Sequence, residues 1–268
     1  MDSSQKLIDL LMHEMRANHD FVRIHAAEAL SENGYGNDVA TELQPEMDTA
    51  GPMYRIGVWR VLVLIAADET ERGALVGRIR RVLLDPAAPD RVHAAETLGK
   101  LGVGFREDRP AIHEWLKTLA DAGAPFGIWA LLQSSAPAER DADHVPLRRL
   151  LSSKDELARQ RADFVLSRLK YVPTETETAL AGQLDREPPT SAARVYLVSA
   201  LCERSQMRPE FRDEFLHFLE KGKANEQAQA ARMLGGHLEY KPQLQALLTS
   251  PEADARIAAA AALLRLSP

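Results

Sequence analysis

The chain has 268 residues, 45% hydrophobic and 27% charged, a globular composition that excludes a disordered chain. Acidic residues outnumber Lys and Arg by 39 to 33, and the net charge of −6 speaks against the strongly basic face of a general nucleic-acid binder. The single cysteine, Cys202, excludes an intrachain disulfide and a cysteine-rich zinc site.

In chain order, the first segment with helical periodicity is QKLIDLLMHEM, followed by VRIHAAEAL at residues 22–30. The second pair is NDVATELQPEM, cut short by Pro45, and then RIGVWRVL. ERGALVGRIRRVLL precedes DRVHAAETL, and RPAIHEWLKTLA precedes PFGIWALL. HVPLRRLL, TETALAGQL, PEFRDEFLHFL and KPQLQALL each lead a further pair. Ser153-x-x-Glu156 and Thr174-x-x-Glu177 read as capping boxes, and Pro110, Pro209 and Pro251 suit first-turn positions. The longest expected loop is Ser134–Asp143. Nothing alternates with period two, so no strand is expected. The opening MDSSQKLIDL lacks a basic n-region and an apolar h-region. No apolar run approaches the roughly 18–20 residues of a membrane span. A soluble cytoplasmic protein with no membrane insertion is therefore expected.

The second helices share one frame. With Arg23 as position zero, a leucine follows seven residues later, and the same holds from Arg55, Arg91, Arg159, Arg194 and Arg256. Pro125 and Gln227 mark two further copies, placed by Leu132 and Leu234. The eight zero positions span 233 residues, about 33 per interval, in the range of helical-pair repeats. Slot +3 is apolar in all eight copies and slot +4 in seven, Asp163 being the exception. Slots 0, +3, +4 and +7 lie on one side of a helix, so they predict a buried stripe.

VRIHAAEAL, DRVHAAETL and ADARIAAAAAL resemble the HEAT-repeat superfamily, in particular the short HEAT-like repeats of phycobilin lyases. The resemblance implies an all-α, right-handed α-solenoid of about eight helix pairs, residues 1–268 forming a single domain. It implies no activity, because such scaffolds serve binding, assembly and a few enzymes. It also implies that the second helices line a concave face, where slots +2, +5 and +9 would be presented. The binding residues this predicts are His25, Glu28, Arg60, His93, Glu96, Arg161, Phe164, Arg168, Tyr196 and Arg232. The +2 slot runs His25, Gly57, His93, Gly127, so the glycines read either as gaps for a ligand or as relief beside a core tryptophan. Glu28, Arg60 and Glu96 share slot +5, and an exposed ion pair from Arg60 to a neighbouring glutamate is expected.

Enzyme readings find less support. His25-x-x-Glu28 and His93-x-x-Glu96 sit two helix pairs apart, about 16–20 Å at ordinary helix spacing, whereas a metal needs its ligands at about 2 Å. No metal and no cofactor are expected. Deoxyhypusine hydroxylases, which are HEAT-like, place His-Glu dipeptides after repeat arginines; here His13-Glu14 and His113-Glu114 fall on first helices instead. The enzyme alternative is a HEAT-like DNA glycosylase acting on alkylated bases, with Trp129 and Asp163 as its catalytic residues. Against it, slot +4 points into the stripe, and Asp163 is placed to pair with Arg159 four residues earlier. The lone histidines His13, His19, His144, His217 and His237 read as surface residues, and Cys202 as buried filler. The expected function is a non-catalytic scaffold for a protein or peptide partner, with nucleic acid disfavoured. The alanine-rich final helix lacks a polar face, so it is expected to pack on something, a homodimer mate being one choice; Asp2 to Lys6 offer a polar cap at the other end.

Overall fold

The computed structural model describes residues 3–204 and 207–266. Among the described residues there are sixteen α-helices and no strand. In chain order they are α1 (Ser3–Ala17), α2 (Phe21–Glu32), α3 (Gly36–Leu43), α4 (Tyr54–Ile65), α5 (Glu69–Leu84), α6 (Arg91–Leu101), α7 (Arg109–Leu116) and α8 (Ala124–Gln133). Then follow α9 (Arg140–Leu150), α10 (Glu156–Leu166), α11 (Thr174–Leu184), α12 (Arg194–Cys202), α13 (Pro209–Lys221), α14 (Ala224–Leu234), α15 (Lys241–Leu247) and α16 (Ala253–Arg265). None is long and apolar enough to cross a membrane.

The even-numbered helices form because their apolar residues recur on one face, and that face is what they bury. Slots +3, +4 and +7 are buried in all of them except at Leu201, which is half-buried. Local signals fared less evenly. Asp155, not Ser153, caps α10, its carboxylate accepting from the amides of Leu157 and Ala158. Thr174 is already the first residue of α11 behind Pro173 and makes no cap bond. Most of the expected loop Ser134–Asp143 is helical: a 3-10 turn at Pro137–Glu139 leads directly into α9. Pro251 precedes α16 rather than lying in its first turn.

The chain divides into two compact units, residues 77–208 and residues 1–76 with 209–268. In the first of these, α6, α8, α10 and α12 pack side by side in sequence order, with α7, α9 and α11 laid against them. In the other, the row runs α14, α16, α2, α4, so it passes through both ends of the chain. Helices α1, α3, α13 and α15 back this row. The apolar face of α16, for which a dimer mate or another protein was expected, is thus covered by α1, α2 and α14 of the same chain. Its alanines are what permit the fit, since they let backbones approach closely. At the other end, Asp2 of the expected polar cap lies outside the described residues, while Gln5 and Lys6 are exposed.

Candidate functional site

The recurring arginine at slot zero is structural. Its guanidinium turns back to the carbonyls that end the preceding helix, which have no intrahelical donor. Arg23 Nη1 donates to Met15 O at 3.1 Å, Arg91 Nε to Leu83 O at 2.9 Å and Arg194 Nη1 to Leu184 O at 3.0 Å. Gln227, where the arginine is missing, does the same with Nε2 to Leu219 O at 3.2 Å. Three of these arginines also hold a carboxylate of the next pair: Arg23 with Glu46, Arg159 with Glu187, and Arg256 with Glu14.

The glycine gaps of slot +2 are closed. A Cβ on Gly57 would fall 2.9 Å from Ile24, and one on Gly127 would fall 2.7 Å from Leu116, so both mark close helix–helix packing rather than openings for a ligand. A Cβ on Gly127 would also lie in ordinary contact with the Trp115 ring, and Gly99 on α6 makes the closest room for a tryptophan, the Trp129 indole lying against it.

In the unit built from both chain ends, His25 Nδ1 meets Asp254 Oδ1 at 2.8 Å, joining α2 to α16. Arg60 pairs with Glu28 across α4 and α2. The expected contact with a neighbouring glutamate is therefore made, but not as an exposed pair: Arg60 retains only 2% of its surface. Arg232 is half-buried and its Nε donates to Gln229 Oε1 at 3.3 Å. His25 and Arg60 thus join neighbouring helices, whereas the Arg232 contact stays within α14.

In the unit of residues 77–208 the even helices bring a different set together. Phe164 on α10 meets Phe126 and Trp129 of α8 and Tyr196 of α12 edge-to-face, at ring separations of 6.3, 6.0 and 5.9 Å. Such T-shaped pairs suit the aromatic quadrupole. Three cations stand over this row: Lys100 at 5.7 Å and Arg168 at 5.2 Å from the Phe164 centroid, and Arg161 at 5.3 Å from that of Phe126. Phe126 is buried, Phe164, Tyr196 and Arg161 are half-buried, and Lys100 and Arg168 are exposed. Glu96 pairs with Lys100 at 2.7 Å along α6. His93, by contrast, is buried. Phe126, at slot +1, lies outside the slots expected to be presented; Lys100 is at slot +9, which is one of them, though it was not among the binding residues expected.

The residues of the enzyme alternative are inaccessible. Asp163 is completely buried and Trp129 keeps 2% of its surface, so neither can touch a base. Nor does Asp163 pair with Arg159. Gln183 Nε2 donates to Asp163 Oδ2 at 2.9 Å, while Arg159 binds Glu187 through Nε at 2.7 Å and Nη2 at 3.0 Å. Burial raises the Asp163 carboxyl well above the usual range. Burial also opposes ionisation of Glu187, but hydrogen bonds from Arg159, Ser191 and Gln183 and the arginine's charge outweigh it, and its carboxyl is held below the usual range. Among the described residues no three His, Cys, Asp or Glu side chains gather as a metal site would need.

His144 is a correction to the sequence reading. It is buried rather than exposed, packed edge-on to Tyr171 at 6.1 Å. Cys202 is half-buried. Of the other lone histidines, His13, His19, His217 and His237 are exposed.

No family model matches the chain, and no curated protein does. Among solved structures, the crystal structure of an engineered protein from the Northeast Structural Genomics Consortium aligns with 97% of this chain and 78% of its own, at 18% identity. Its TM-score of 0.34 is too low to identify a common fold.

Proposed function

We propose that this chain is a non-catalytic binding scaffold whose helix pairs are HEAT-like repeats of a right-handed α-solenoid, acting on a protein or peptide partner in the cytoplasm. The observation that carries this reading is the row of Phe126, Phe164 and Tyr196 with Lys100, Arg161 and Arg168. It is formed by side chains from four successive even helices, with Lys100 and Arg168 exposed, Phe164, Tyr196 and Arg161 half-buried, and Phe126 a buried support for them. Aromatic and arginine side chains supply most of the energy at protein interfaces, and rigid helices hold them at fixed spacing. The residues of the enzyme alternative, Trp129 and Asp163, are buried out of reach of a substrate, which favours binding over chemistry.

The reading is tested by selecting displayed peptides on the full-length protein and measuring the enriched ones by fluorescence anisotropy. Binders that lose affinity with Phe164→Ala or Tyr196→Ala, each variant checked for an unchanged helical signal, would support it. Arg168→Glu, at an exposed position, serves where an aromatic variant unfolds. Failure to enrich any binder, or binders indifferent to all three changes, would overturn it.

A further inference from the structure

We infer that the occupant of this face is an extended acidic peptide segment with carboxylates about three residues apart, an inference that rests on the binding reading above. The charge balance is local. Residues 77–208 carry 20 Lys and Arg against 18 Asp and Glu, whereas the rest of the chain carries 13 against 21. The acidic total therefore does not describe the unit that bears the aromatic row. Within it, Lys100 and Arg168 both stand within 6 Å of one Phe164 ring centroid. Glu96 pairs with Lys100 at 2.7 Å, and a ligand carboxylate approaching this ring would gain attraction from both cations.

Spacing selects the class of anion. Arg161 and Arg168 lie seven positions apart on α10 and the turn that follows it, roughly 10 Å at 1.5 Å per residue. The two guanidiniums stand over different rings, Phe126 and Phe164, so a ligand with two separated anions suits them better than one phosphate. An extended peptide advances about 3.3 Å per residue, so carboxylates at i and i+3 match the two guanidiniums, and Lys100 lies to the side for a third. The existing contacts need not break. Lys100 Nζ is held by Glu96 and Arg161 Nη1 by the Ala122 carbonyl at 2.8 Å, but an ammonium has three donors and a guanidinium five. A nucleic acid fits less well: phosphate tracking needs many cations in line, and Glu96 sits within the patch.

The test uses a fluorescein-labelled twelve-residue polyglutamate, with dodecathymidylate and inorganic phosphate as competitors, against the full-length protein at low salt. Polyglutamate is expected to bind, to weaken with added salt, and to lose about tenfold in affinity with the pair Lys100→Ala and Arg168→Ala. Lys154→Ala, an exposed cation of the same unit outside the patch, is expected to change affinity less than twofold. Absence of binding, equal loss in both variants, stronger binding of dodecathymidylate, or displacement by phosphate at equal concentration would each overturn the inference. Enrichment of neutral or basic peptides that still need Phe164 would sink the acidic chemistry alone and leave the binding reading standing.

Discussion

Arg256 Nε donates to Glu14 Oε1 at 2.7 Å, tying the last helix of the chain to its first. The same guanidinium donates through Nη1 to Ser250 O at 2.7 Å and to Pro251 O at 2.9 Å. Arg159 makes the equivalent pair of contacts, with Ser153 O behind it and Glu187 ahead. Chemically, then, the join between the chain's two ends is an ordinary join between successive helix pairs.

Breaking that join should cost stability on both sides of it. Glu14 is buried while Arg256 keeps about a quarter of its side-chain surface, so the penalty falls below the about 3–5 kcal/mol of a fully buried pair losing one partner. Glu14→Ala is expected to lower stability by about 2 kcal/mol in urea titration. Deleting residues 253–268 should strip hydrogen-exchange protection from α1 and α2 as well as from α14. Protection in α1 and α2 that survived the deletion would show the join to be incidental.

Two glycines should respond to the same substitution with opposite signs. A Cβ on Gly99 would overlap the Trp129 indole, a large and rigid side chain that is itself buried. Gly99→Ala is therefore expected to destabilise by about 1–3 kcal/mol. Gly77 lies inside α5 with nothing within 4 Å of its would-be Cβ. There Gly77→Ala should stabilise by about 0.5–1 kcal/mol, through helix propensity and a less flexible unfolded chain. Matching thermal shifts for the two variants would contradict the packing described.

What was legible in the sequence was whatever depends on one helix at a time. Ala26, Ala27 and Leu30 recur at a spacing set by 3.6 residues per turn, and these three slots are buried in every copy except at Leu201, while slot zero is half-buried in most. Arg23 and its counterparts were visible as a recurrence, but not their task, because the carbonyl they reach is set by how the chain turns between helices. That α16 meets α1 is a contact between the two ends of the sequence, which no local signal carries. Asp163 misled for a related reason. Its spacing from Arg159 is right for a pair along one helix, but Glu187 offers the arginine a bidentate partner and leaves Asp163 to Gln183.

Replacing that buried acid should help the protein. Asp163 Oδ1 and Gln183 Oε1 are both buried without a hydrogen-bond partner, whereas Asp163 Oδ2 already accepts from Gln183. A protonated Asp163, favoured by burial, offers the donor those two oxygens lack. The folded state thus retains a proton that the unfolded chain loses above about pH 4, so stability falls as pH rises past that point. Asn supplies the donor with no charge to remove. Asp163→Asn is expected to stabilise by about 1–3 kcal/mol at pH 7, with the advantage fading below about pH 4. An ionised Asp163 paired with Arg159 would make the variant less stable instead.

His144 sets a dependence of the opposite sign. Burial lowers its pKa to about 4 against an ordinary 6.5, although Asp141, a hydrogen bond with the Tyr171 backbone and Asp143 pull it upward, and Arg204 adds to the lowering. Its Nδ1 is buried and has no hydrogen-bond partner, so a proton added there would place an unanswered cationic N–H in the core. Between about pH 6.5 and pH 4 the unfolded chain takes up a proton at this residue and the folded chain does not. The stability that neutral His144 contributes is complete above pH 6.5 and drains away as pH falls towards 4. Carboxylates elsewhere also titrate at the lower end, so the informative quantity is the difference between wild type and His144→Gln, a side chain that keeps a donor and cannot gain charge. The variant is expected to be less stable at pH 7.5, because the imidazole's packing against Tyr171 is lost. The gap should narrow by about 2 kcal/mol on going to pH 4.5. Parallel melting curves for the two proteins across that range would show that His144 is reached by solvent and titrates as an ordinary histidine.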